Sequence, residues 1–359
     1  MKEVNCPKEK RILLLTQEIG HYDSDGNLEG RESTAKIERS LMEKGCDVRQ
    51  VKIADCKVSN GQLLENGFII RSEAYGAVMK RSWDGGYNAN HGTEMQRFLE
   101  SKGLYADNPS AAQDITHDRF KMQSVFEEVG VKTPKTFAIR GEQDANKAIE
   151  ELGAIYSEKN IDEKYPAFVL KGKQGTHGNG IEFFKTDEKD ALKEQLTQAS
   201  DTNPLVLQEF IPTTLIQGVK EDASKNASHQ RIVITRNSKD GEYEYTGGVR
   251  FQRNGSWISN ASAKEGVPSK EILPEPSKEV MRQISKAASA IGLNQAGVDI
   301  LDGKDGQGYF SEFNDSMGVT GELLESQGVL DKYTDSFISR SSEHQRSIME
   351  EQSFTRMAS

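Results

Sequence analysis

At 359 residues with a formal charge of −10, the chain is long enough for two or three lobes with substantial cores. Its acidity argues against a nucleic-acid surface, which would carry a basic stripe. Its three cysteines, Cys6, Cys46 and Cys56, form neither an even disulfide framework nor a metal spacing, which points to a reducing cytoplasm. The start, Met1 to Lys10, lacks the apolar core of a secretory leader and no apolar run approaches a membrane span, so no membrane is expected.

In chain order, Arg11 to Thr16 reads as a first strand, and Ser33 to Lys44 as a helix capped by Ser33 and ended by Gly45. Val48 to Ile53 and Ala77 to Met79 follow as strands and Thr93 to Ser101 as a helix, an alternation that implies an α/β sheet. The run His21 to Gly30 imitates a calcium loop in its Asp23, Asp25 and Asn27 spacing. Leu28 takes the glycine position, however, and Thr34 that of the bidentate glutamate, so it reads as an exposed turn. Asn108 to Ala111 is a link, His117 to Val129 a helix, and strand and helix signals then alternate through Ala138, Glu142 to Leu152, Phe168 to Lys171 and Glu188 to Gln198. Leu205 to Ile211 is a strand leading into the next lobe, and Thr213 to Ser228 an insertion or mobile loop. Ile232 to Arg236, Gly247 to Phe251, Val298 to Leu301 and Phe310 to Phe313 are strands, packed on a helix from Ser277 to Ile291. From about Arg340 the sequence turns polar and reads as a frayed helix or tail.

Two motifs carry chemistry. The apolar run Ala167 to Leu170 ends on Lys171 and opens into a loop with Gly175, Gly178 and Gly180, where backbone N–H groups can approach a polyphosphate beside a cation. An ordinary hairpin tip with a solvated lysine would read the same way, and the loop is neither a Walker A loop nor the dinucleotide fingerprint. Further on, Ala296 to Leu301 and Gly308 to Asn314 alternate as strands around the turn residues Asp302 to Gly306. That hairpin puts Asp299, Glu312 and Asn314 on one face, hard oxygen donors suited to magnesium. Taken alone, the hairpin reads better as having a merely polar outer face; the phosphate loop upstream reverses that preference.

With Asp118 to Pro134, Leu205 to Ile211, Gln230-Arg231 and Ser259-Asn260 in the same order, the chain resembles the ATP-grasp superfamily, and within it the RimK-type ligases, from about residue 11 to 335. The run Asn314 to Gly318, Asn-Asp-Ser-Met-Gly, looks like a variant of the family's Asn-Ala-Ser-Pro-Gly. The resemblance implies an ATP-grasp fold with an N-terminal α/β lobe over 1–107, a central lobe with its glycine-rich lid over 108–208, a C-terminal lobe with the metal site over 209–339, and a polar tail over 340–359. ATP would lie between the central and C-terminal lobes. Its phosphates would meet Lys171, Arg119, Gln174, Gly175, Thr176, His177, Gly178 and Gly180. Its base would meet Gln208, backbone atoms of Glu209 and Ile211, and the ring of Phe210, with Ser259 also at the nucleotide. Asp299, Glu312 and Asn314 would hold one or two magnesium ions, with manganese as a substitute, while Arg231, Arg250 and Asn260 face the transferring phosphoryl group.

The implied reaction joins a carboxylate to an amine through an acylphosphate, releasing ADP and phosphate; the partners would be a small-molecule carboxylate and amine, or a peptide or protein acceptor, with an amino acid such as glutamate added to an amino acid, peptide or protein. A homo-oligomer is compatible with it. Three departures stand out: Arg119 where the family has lysine, Gln230 where an acidic residue is expected before Arg231, and Met317 where it has proline. A glutathione-synthetase-like enzyme, a ribosomal-peptide macrocyclase and a noncatalytic nucleotide sensor are the alternatives.

Overall fold

The computed structural model describes residues 6–23, 25–81, 87–172, 180–214, 225–258, 267–319 and 321–358. Strand β1 (Arg11–Thr16) is buried along nearly its whole length because it lies inside a parallel sheet covered on both faces. A small hairpin, β2 (Gly20–Tyr22) with β3 (Leu28–Gly30), follows. Asp23 closes its turn, Oδ1 accepting from the N–H groups of Asp25 (2.9 Å) and Asn27 (2.8 Å), so this is a self-bonded turn, as its broken calcium pattern implied. Helix α1 (Glu32–Glu43) starts one residue before the expected cap: Arg31, whose N–H donates to the Ile19 carbonyl, leads in without a side-chain cap.

After β4 (Asp47–Lys52) comes a meander not anticipated from the sequence, β5 (Cys56–Ser59), β6 (Gln62–Glu65) and β7 (Phe68–Ile70). Its turns are the dipeptides Asn60-Gly61 and Asn66-Gly67, all four residues at positive φ, the signal that could have found it. Strand β8 (Ala77–Arg81), helix α2 (Tyr87–Ser101) and β9 (Tyr105–Ala106) complete the lobe, whose sheet runs β4-β1-β8-β9, all parallel.

Helices α3 (Ser110–Thr116) and α4 (Arg119–Val129) lead to β10 (Thr136–Ile139), α5 (Glu142–Glu158), β11 (Phe168–Gly172), β12 (Glu182–Phe184), α6 (Lys189–Leu196) and β13 (Leu205–Glu209). The sheet order β10-β13-β11-β12 places β13 inside this central sheet, with α5 and α6 packed on Phe168, Leu170 and Leu207. The opposite face, with Val169, Lys171 and Gln208, is left for the cleft.

The third sheet is antiparallel, order β16-β15-β14-β17-β18, from β14 (Asn226–Arg236), β15 (Tyr243–Asn254), β16 (Val267–Ile272), β17 (Gln295–Asp302) and β18 (Gly308–Asn314). One face carries Ile232, Ile234, Val298, Ile300, Phe310 and Phe313 onto α4 and onto α7 (Lys278–Ile291), which Ser277 caps by accepting the Val280 N–H. The other carries Val233 and Val249 toward the first lobe, α8 (Glu322–Glu325) and α9 (Val329–Ala358). At Gly247 a Cβ would lie 2.4 Å from Val329, so only glycine lets α9 come this close. Of the expected insertion at 213–228, residues 215–224 lie outside the described residues; Thr213 bridges to Gly303 and Asn226 already belongs to β14.

The segment from Arg340, expected as a frayed helix or tail, is the second half of the 30-residue α9. Ser341 and Gln345 are buried, and the Gln345 amide donates to the carbonyls of Gly76 (2.9 Å) and Gly103 (3.2 Å) in the first lobe. Gln345 thus caps backbone carbonyls of a distant lobe, while most of the described residues beyond it face water. Among the described residues no helix is long and apolar enough to cross a membrane.

Candidate active site

Lys171 stands near the end of β11, where its Nζ donates to Gln208 Oε1 (2.6 Å); the Gln208 amide in turn donates to Thr136 Oγ1 (2.8 Å). Arg119 opens α4, aimed by the Asp118 cap that accepts from Phe120 and Lys121, and its Nη1 donates to the Gly172 carbonyl (2.5 Å). Burial, and after it the nearby Arg119 charge, lower the Lys171 pKa to about 8 against the opposing pull of Glu312. Arg119 is likewise depressed by burial and supported by Glu312. One carboxylate of the C-terminal lobe is therefore felt by two cations of the lobe facing it.

Glu312 lies beside Asp299 because the β17–β18 ladder shifts register between Asp299 and Ile300: Ile300 pairs with Phe310, Asp299 with Glu312. That bulge at Ser311 re-aims the strand. Asn314 Nδ2 is then 3.3 Å from both Asp299 Oδ2 and Glu312 Oε1. Arg231 grips Asp299 with both nitrogens, Nε to Oδ1 at 2.8 Å and Nη2 to Oδ2 at 2.7 Å. Burial works against the Arg231 charge, but Asp299 overrides it, with Glu312 adding, and its pKa is raised. Two carboxylates and an amide whose oxygen can rotate to the same point make a hard-oxygen set of the small size that suits magnesium. Among the described residues no group of three or more His, Cys, Asp or Glu offers an alternative metal site.

Arg250 is not brought to this point. Strand neighbours alternate faces, and Arg231 pairs with Val249 on β15, which sends Arg250 to the opposite face. There it bonds Asp302 (3.0 Å) and Glu271 (2.5 Å). Gln230 shares that face and also donates to Asp302. His229 and Arg253 take the site face instead, and both were missed. His229, pushed down to about 3 by burial and by Arg231, stacks on Phe251 at 4.9 Å, with the Arg231 guanidinium 5.6 Å from that ring. Arg253 is only 3% exposed.

At the other end of the cleft, the Glu209 carboxylate bonds Lys159 and accepts the Lys135 N–H (3.2 Å). The N–H groups of Glu209 and Phe210 donate to the carbonyls of Lys135 and Ala167 within the lobe. The Phe210 ring, expected as a cover, is itself packed among Tyr165, Phe183 and Trp257. Ile211 is buried beside it, and Gly180 lies at positive φ at the end of the glycine loop. Gln174, Gly175, Thr176, His177, Gly178, Ser259 and Asn260 lie outside the described residues.

Residues 116–327 match the RimK-like ATP-grasp domain. Curated relatives named "Probable alpha-L-glutamate ligase" include one from Hydrogenovibrio crunogenus, 25% identical over 300 residues and covering 80% of this chain and 85% of the relative. Another, from Cellvibrio japonicus, is 24% identical over 291 residues with the same coverage. Among solved structures, the ATP-grasp ligase PsnB complexed with minimal precursor, Mg and ADP superposes with a TM-score of 0.60 at 16% identity, over 95% of this chain and all of that one. A RimK domain protein from Sphaerobacter thermophilus gives 0.60 at 15% identity, over 92% of this chain and 98% of that one. With the fold, the strand-end lysine and the hairpin acids in place, the chain belongs to the RimK-like ATP-grasp family of ATP-dependent carboxylate–amine ligases.

Proposed function

We propose that this chain forms an amide between the carboxylate of a small acid, glutamate first, and the amine of an amino acid or peptide, at the expense of ATP. The observation that carries it is the convergence of Asp299, Glu312, Asn314 and Arg231 opposite Lys171 and Arg119. The names of the curated relatives favour glutamate, and the precursor-bound PsnB structure favours a peptide acceptor. Lys171 and Arg119 receive the phosphates, and Arg231 with Arg253 faces the transferring group. The residues of the hinge, Gln208 to Ile211, border the base. Asp299, Glu312 and Asn314 hold magnesium, which when bound supplies charge neutralisation to the phosphates.

The substrate carboxylate oxygen bonds to the γ-phosphorus as the bond to the β-phosphate oxygen breaks, and ADP leaves. The amine nitrogen then bonds to the acyl carbon, the acyl–oxygen bond breaks, and phosphate leaves as the amine loses its proton. No enzyme nucleophile is required, in keeping with cysteines that are all buried. Hydroxylamine trapping tests this: with ATP, magnesium and the correct acid, a hydroxamate should form with ADP. Release of AMP and pyrophosphate instead would exclude the acylphosphate route. Nucleotide binding with no turnover across acids and amines would favour the sensor reading.

A further inference from the structure

Asp315 follows Asn314 directly, at the place where the family run has alanine. Its carboxyl is buried where three parts of the chain meet. Oδ1 is 3.2 Å from His117 Nε2 and accepts from Thr116 Oγ1 (3.3 Å) at the α3–α4 junction. Oδ2 accepts no hydrogen bond and lies 3.9 Å from Nζ of Lys80, a side chain with no exposed surface in β8 of the first lobe.

The backbone around it is pinned from the same side. Asn108 Nδ2 donates to the Asp315 carbonyl (2.9 Å), Ser316 Oγ donates to the Lys80 carbonyl (3.2 Å), and Arg81 donates to the Met317 carbonyl. Asp315 is too enclosed to meet a substrate, whereas the residue before it stands in the cleft. A buried ion pair is costly and an apolar pair would pack as well or better, so the charges are not needed for stability alone.

We propose that Asp315 is a positioning residue for the cation site: paired with Lys80, it fixes the strand end that bears Asn314, so that the first lobe sets the cation affinity of the cleft. This rests on the reading of Asp299, Glu312 and Asn314 as cation ligands. Mn2+ binding followed by electron paramagnetic resonance in the presence of ATP tests it, using Asp315→Asn, Lys80→Met and the double variant. Each should weaken Mn2+ binding by about tenfold or more, the usual effect of losing a group that orients a ligand. Thermal stabilisation by ATP in EDTA should stay at the wild-type value. The magnesium concentration for half-maximal ADP formation should rise by the same factor, with turnover recovering at saturating magnesium. The double variant leaves no buried charge unpaired and carries the measurement if a single variant does not fold. Wild-type Mn2+ affinity in any variant that melts cooperatively overturns the proposal. If the wild type binds Mn2+ but Asp299→Asn binds it equally well, the ligand assignment fails instead.

Discussion

The two faces of the five-stranded sheet each carry a partly buried arginine–carboxylate pair, and the pairs look alike. Arg231–Asp299 has side-chain exposures of 22% and 9%, Arg250–Asp302 of 26% and 14%. Their surroundings differ. Asp302 also accepts from Ser228 and Gln230, and Arg250 is shared with Glu271, so each charge is answered within its own face. Asp299 has a second carboxylate and an amide beside it, and the cations nearest Glu312 include two from the far side of a cleft. An ion pair alone is a structural device. Acids crowded together opposite cations of another lobe leave interactions for a ligand to complete.

The largest effects should separate the faces most sharply. Asp299→Asn or Glu312→Gln should lower ADP release by roughly a hundredfold or more at saturating magnesium, as losses of transition-state electrostatics do. Asp302→Asn, on the other face, should stay within a few-fold. Equal losses for Asp299→Asn and Asp302→Asn would erase the distinction. Next, Lys171→Met should abolish most of the thermal stabilisation by Mg-ATP while leaving the ligand-free protein folded, and an unchanged stabilisation would remove Lys171 from the phosphates. A smaller contrast is expected between the arginines: Arg253→Ala should cost about tenfold or more in turnover through lost charge stabilisation, Arg250→Ala little. The reverse ranking would put the even-numbered face at the reaction.

The smallest effect is in pH. The folded Lys171 loses its proton near pH 8, whereas the unfolded lysine keeps it to 10.5. Between those values the unfolded chain binds more protons, so Lys171 makes the ligand-free protein more stable as pH rises, by shedding a buried charge. The same deprotonation removes the cation that meets phosphate. Stabilisation by ATP should therefore shrink as pH passes about 8, and both slopes should flatten in Lys171→Met. Titrating the melting temperature with and without ATP checks the two signs together.

Much of this was legible from the chain. Lys171 at the end of an apolar run, the turn-bounded strands around Asp302 to Gly306 and the helix from Ser277 are local signals, because strand and helix periods depend on neighbours within a few residues. They gave the α/β order of the lobes and put Glu312 and Asn314 on one face, whereas bringing Asp299 beside them took the bulge at Ser311. Local signals were weaker in the meander, whose strands are three or four residues long, and misleading in α9, where polar side chains bond the backbone of a distant lobe.

What no local pattern holds is register. The β14–β15 ladder pairs Ile234 with Tyr245 but Val233 with Gly247, a one-residue slip at Thr246. Without it, His229 would oppose Arg250, and Arg250 would share the site face with Arg231. With it, His229 opposes Phe251 and the face passes to Arg253. The sequence by itself determined which charged residues the site could draw on. The slip at Thr246 and the meeting of Lys80, His117 and Asp315 were decided by the tertiary structure, because a bulge is set by packing on both faces of a sheet and such a junction by residues as far apart as positions 80 and 315.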